Sequence, residues 1–100
     1  MTTATAPKTS EIRSNTLLDN LNRRSPDELR TFIRRLDEKL KSKRLPHITE
    51  NYRGAHLGLA RALAAWREEP SKESLGEVTR AKRSLDYEVG VYNARTRNSR

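Results

Sequence analysis

The stretch Asn51–Glu68, NYRGAHLGLARALAAWRE, is the least charged and most apolar part of the chain, and its reading decides the fold. Tyr52, His56, Leu59, Leu63 and Trp66 recur at spacings of four, three, four and three, which puts them on one stripe of an α-helix. A second stripe, Gly54, Gly58, Ala62 and Ala65, is small throughout. Glycine inside a helix costs ~1 kcal/mol relative to alanine, so this stripe is expected to be compensated by the close approach of another helix backbone. Arg53, Arg61 and Arg67 interrupt the segment, and no run in it reaches the ~20 apolar residues that span a bilayer. The expectation is a central scaffold helix in a small soluble all-α protein.

Outward from this helix, turn and cap signals set the neighbours. Ser25-Pro26-Asp27-Glu28 combines a capping serine, a proline at the first helical position and a glutamate three residues after the cap, the pattern of a capping box. The helix it starts carries Leu29, Phe32, Ile33, Leu36 and Leu40 on one stripe, and Pro46 predicts its end, because the residue before a proline is biased out of the helical region. Thr49 is then the expected cap of the central helix. Before Ser25, the residues Ile12, Leu17, Leu18 and Leu21 suggest a short helix from about Ser10 to Asn22.

Pro70 closes the central helix, and Ser71 or Ser74 opens the last one. Leu75, Val78, Lys82, Leu85, Val89 and Tyr92 keep a coiled-coil-like spacing with a lysine in the seam. The connection is short, so the two helices, about 49–68 and 71–97, should form an antiparallel hairpin. The fold expected is a three- to four-helix bundle, with residues 1–9 a disordered tail and 10–100 a single helical domain.

Composition limits how much core this can be. Leu, Ile, Val and Phe number nineteen in one hundred residues and the net charge is +8, close to the composition of disordered chains. Periodicity favours folding, and a homodimer or other partner would complete so thin a core. The chain has no cysteine, and MTTATAPKTS has no apolar stretch like that of a secretory signal, from which a cytoplasmic protein is expected.

Charge locates the candidate surfaces. Residues 46–70 are neutral overall, whereas 26–45 and 71–100 carry +3 each. Arg30, Arg34, Lys41 and Arg44 fall on one outward stripe of the second helix, broken by Asp37, and Arg80 and Arg83 lie on the last helix with Gly76, Tyr87, Gly90 and Ala94. Fifteen of the twenty-one basic residues are arginine, which can grip phosphate or guanine edges with two N–H groups at once. These six basic residues are the candidate nucleic-acid contacts, in a regulatory or packaging-accessory role. Interleaved acids, such as Asp37-Glu38-Lys39, support the plainer reading of a solvated face.

The alternative function is a protein-interaction module, a host-factor regulator or an assembly subunit, including one encoded by a phage. It would act through Tyr87, Arg80, Arg83 and Tyr92, since tyrosine and arginine anchor interfaces. A helix-turn-helix is disfavoured by the long connection and the apolar central helix. Enzyme chemistry is not expected. His47 and His56 have no serine or carboxylate at a relay spacing, His56 reads as a half-buried core residue, and no cofactor or four-ligand metal site can be assembled. Gly54-Ala-His-Leu-Gly58 lacks the lysine and the strand of a phosphate loop.

Overall fold

A computed structural model describes residues 12–42 and 44–98. They form four helices: α1 (Ser14–Asn22), α2 (Pro26–Lys41), α3 (His47–Glu68) and α4 (Lys72–Asn98). The described residues contain no strand, and the chain is an all-α bundle. The tail expected over 1–9, and Ser10 at the start of the first helix, lie outside the described residues.

Local signals explain three of the four starts. At α2 the Ser25 hydroxyl accepts from the Glu28 backbone N–H (3.2 Å), and the Glu28 carboxylate accepts from the Ser25 N–H (2.8 Å). Both bonds satisfy donors that a helix start otherwise leaves open. At α4 a serine replaces the glutamate of that pattern. The Ser71 hydroxyl accepts from the Ser74 N–H (3.0 Å), and the Ser74 hydroxyl accepts from the Ser71 N–H (2.9 Å).

The start of α3 differs from the expectation at Thr49. Pro46, extended at φ −57° and ψ 150°, takes the cap position without a side-chain bond, and its carbonyl accepts from the Glu50 N–H (2.9 Å). A proline needs no partner for its missing N–H and leaves the chain already extended. The helix therefore begins at His47, and Thr49 sits inside its first turn.

The core is organised around α3. Among the described residues four large side chains are fully buried, Leu21, Leu29, Leu59 and Leu85, and each comes from a different helix. They share one cluster with Tyr52, Ala60, Leu63 and Val89. α3 and α4 form the expected antiparallel hairpin, with the Tyr52 and Tyr92 rings 4.9 Å apart near its open end. α2 packs mainly on α3, and α1 lies across both arms of the hairpin. α4 has 27 residues and so a length of ~40 Å, comparable with a single long extent of a flat body of 43 × 40 × 23 Å.

The seam of α4 is closed at Leu85 and Val89 and open at its start. Lys82 lies within it, half-buried, with its ammonium 3.0 Å from Asp86. Leu75 is 52% exposed, contrary to its place in the spacing. With Tyr52 level with Tyr92, Leu75 falls beyond the last turn of α3, so that helix does not cover it.

Polar bonds tie α1 and the residues just before it to the hairpin, among them one from the Ser14 hydroxyl to the Asp86 carboxylate. Asn93 donates from Nδ2 to the Ile12 carbonyl (2.7 Å) and accepts from the Ile12 N–H (3.1 Å) at Oδ1, pairing with the backbone as a neighbouring strand would. Arg67, near the end of α3, donates to the carbonyls of Arg24 (2.8 Å), Asn22 (2.6 Å) and Leu21 (3.3 Å). One cation thus closes the carbonyl end of α1, where the helix dipole is negative.

The small stripe of α3 is not a close-packing face. Gly54, Gly58 and Ala65 are exposed and Ala62 is half-exposed. A Cβ built on Gly54 or Gly58 meets nothing within 4 Å. The neighbours of α3 lie on its Tyr52–Trp66 stripe and beside Leu57 and Ala60, so the small residues face away from the protein's own core. Their helix cost is therefore uncompensated within the chain. The Gly54→Ala, Gly58→Ala double variant is expected to gain about 2 kcal/mol in chemical denaturation, from ~1 kcal/mol at each site. A loss of stability would mean that something does approach this face.

Candidate nucleic-acid interface and the arginine face of α4

The first set of candidate residues lies on α2. Arg30, Arg34 and Lys41 are all exposed on one side of the helix. Arg30 pairs with Asp27 one turn earlier, and Lys41 with Asp37 at 3.3 Å. Asp37 also reaches Arg61 of α3 at 3.4 Å, so the acid that breaks the basic stripe is turned towards the α2–α3 contact. Exposed pairs of this kind are worth ~0–1 kcal/mol and exchange readily for phosphate.

Arg44 is not on the helix stripe. α2 ends at Lys41, with the Ser42 hydroxyl donating to the Lys39 carbonyl (2.7 Å), and Arg44 is exposed in the connection to α3. The local serine bond offers the backbone an alternative to a further helical turn.

The second set lies on α4. Arg80 and Arg83 are exposed, Arg80 pairs with Glu77, and Tyr87 is 69% exposed. Tyr92 is elsewhere. It is half-buried against the core and its ring meets Tyr52, so the structure separates it from the Tyr87 face. The α2 and α4 sets lie on helices that each pack chiefly on α3 rather than on the other.

Sequence spacing did not expose a third group, which surrounds His56. Its ring lies 5.1 Å from Phe32, edge to face, and 6.1 Å from Tyr52. The Arg24 guanidinium sits 4.6 Å over the Phe32 ring, a cation–π contact. Burial, then the positive charges of Arg53 and Arg24, push the His56 pKa down to about 4. A neutral imidazole with aromatic neighbours is a packed core group. Below Phe32 and Arg24, a shallow depression of about 410 Å³ is lined also by Asp27, Glu28, Thr31 and Arg35. Its carboxylates are engaged: Glu28 is held below the ordinary range by the Ser25 backbone N–H, and Asp27 pairs with Arg30.

Among the described residues no three His, Cys, Asp or Glu side chains gather as metal ligands, and no helix is long and apolar enough to cross a membrane. Compared with protein families, with characterised proteins and with solved structures, the chain matches none.

Proposed function

We propose that the protein is a non-enzymatic, cytoplasmic nucleic-acid-binding protein that acts as a homo-oligomer in a regulatory or packaging-accessory role. The observation that supports this reading is the exposed Arg30, Arg34 and Lys41 row on one side of α2, with Arg44 just beyond it, in a chain of net charge +8. Contact with a phosphate backbone needs reach and charge rather than a shaped pocket. α2 offers both along ~16 Å, the rise of the eleven steps from Arg30 to Lys41.

Binding to duplex DNA and to single-stranded RNA, measured from low to physiological salt, tests the proposal. Micromolar or tighter affinity that falls steeply with salt is expected. The Arg30→Ala, Arg34→Ala, Lys41→Ala variant should bind at least about tenfold more weakly, with a salt slope reduced by ~2–3 and an unchanged melt. Absence of binding at low salt removes the reading.

Tyr87, at 69% exposed, favours the second reading, a protein-interaction module acting through α4. Tyr87→Ala should then abolish a specific partner interaction while leaving nucleic-acid affinity as it was.

A further inference from the structure

The outward face of α4 is laid out symmetrically. Gly76, Arg80, Arg83, Tyr87, Gly90 and Ala94 follow spacings of four, three, four, three and four. The eighteen steps from Gly76 to Ala94 make about five turns at 3.6 residues per turn, so the row runs straight along the helix, on the side away from Leu85 and Val89. Arg80, Arg83, Tyr87 and Gly90 are exposed. A Cβ at Gly90 would meet nothing within 4 Å, and at Gly76 only the protein's own Arg80 guanidinium, at 3.9 Å.

We propose that this face binds the same face of a second copy of the chain, antiparallel, about a two-fold axis level with residue 85. The inference rests on the homo-oligomer reading above and is independent of nucleic-acid binding. A two-fold contact requires that residue i meet j and j meet i. About position 85 the row obeys this throughout. Gly76 comes opposite Ala94 of the other copy, Arg80 opposite Gly90, and Arg83 opposite Tyr87. Small residues face each other at the ends, each Arg80 faces a glycine, and each central arginine faces an aromatic ring, which attracts it.

Charge agrees with this direction. The first turn of α4 is neutral, with Lys72 beside Glu73, and its last turn carries Arg95 and Arg97, so parallel pairing would stack two cationic ends and antiparallel pairing keeps them apart. Gly76 and Ala94, at the two ends of the row, are half-exposed.

Size sets the strength. A strip ~27 Å long and one helix face wide lies below the range of standard interfaces, and pairing at this scale is weak, with dissociation in the micromolar range or above. Each copy carries +8, so added salt, by screening the mutual repulsion, should strengthen the pairing. That sign is opposite to the one expected for nucleic acid.

Sedimentation of the full chain, free of nucleic acid, over ~10 µM to ~1 mM tests the pairing in the range where such an interface associates. The mass is expected to rise from 11.5 kDa towards twice that value, more completely at higher salt. Gly90→Arg puts a cation opposite Arg80 of the other copy at a site with open space around it, and should hold the chain monomeric with its melt intact. The register is read separately. The chain has no cysteine, so a mixture of Arg80→Cys and Gly90→Cys copies should form the mixed disulfide in preference to either self-pair, whose sulfurs would be offset by ~15 Å along the helix. A mass fixed at 11.5 kDa throughout, a dimer indifferent to Gly90→Arg, or self-pairing equal to mixed pairing would overturn the proposal.

Discussion

Leu59→Ala is expected to lower the stability of the fold by about 3–4 kcal/mol, within the range measured when a leucine is removed from a rigid core. Leu59 is 0% exposed and lies in one cluster with Leu21, Leu29 and Leu85, so a single deletion opens a cavity where all four helices meet. Collapse into that cavity would require several helices to move together, which keeps the cost towards the upper part of the range. A chain of this size holds in total about 5–15 kcal/mol, and with so few large apolar residues it belongs near the lower end. The variant should therefore lose roughly 15–25 °C in Tm, at ~4–8 °C per kcal/mol. Leu75→Ala is the control: it removes the same atoms from an exposed position and should stay within ~0.5 kcal/mol of the parent. Urea titrations of both variants, with unchanged slopes, make the comparison. A cost at Leu59 under ~1 kcal/mol would mean that the four leucines are not packed together in solution.

These contacts also show where sequence reading succeeds and where it stops. The Ser25–Glu28 box was legible because both of its bonds span three residues, and periodicity alone identifies the stripe from Leu29 to Leu40. The hairpin was legible from Pro70 and two apolar stripes. What spacing could not say is which side of α3 its neighbours take. The glycine stripe and the Tyr52–Trp66 stripe both have helical periods, and only packing tells that the first faces open space. Arg67 and Asn93 were missed for another reason. Their partners lie more than forty and eighty residues away in the chain, so no local pattern marks them, although an arginine in the last turn of an apolar helix is a reason to look for a neighbouring helix end. The candidate surfaces follow the same division. Arg30, Arg34 and Lys41 share a side of α2 because their spacing is local. Arg44 leaves that side because a serine bond ends the helix, and Tyr92 leaves the Tyr87 face because its own stripe is the seam.

Acid provides the second large effect, through His56. In the unfolded chain a histidine titrates near 6.5, and in the folded protein His56 is pushed down to about 4, first by burial and then by Arg53 and Arg24. Between those values the unfolded state binds a proton that the folded state refuses, so stability rises with pH across this window. The contribution is fully present above about pH 6.5 and is lost as pH falls towards 4. At 1.36 kcal/mol per pH unit, and discounted because the imidazole is only partly enclosed, the loss comes to about 2–3 kcal/mol. Carboxylates add their own acid loss lower on the scale: Glu28 and Asp86 are both held below their ordinary values of 4.5 and 3.8, by Ser25 and by Ser14 respectively. The part of the profile between pH 6.5 and 4.5 therefore belongs mainly to the histidine. His56→Phe keeps an aromatic ring against Phe32 and Tyr52 and removes the titration, so its stability should be nearly flat across that interval while the parent's falls. Denaturant titrations at half-unit steps of pH give both curves. Parallel curves would mean that His56 takes up its proton in the folded state near pH 6.5, which the enclosing rings and the two guanidinium groups oppose.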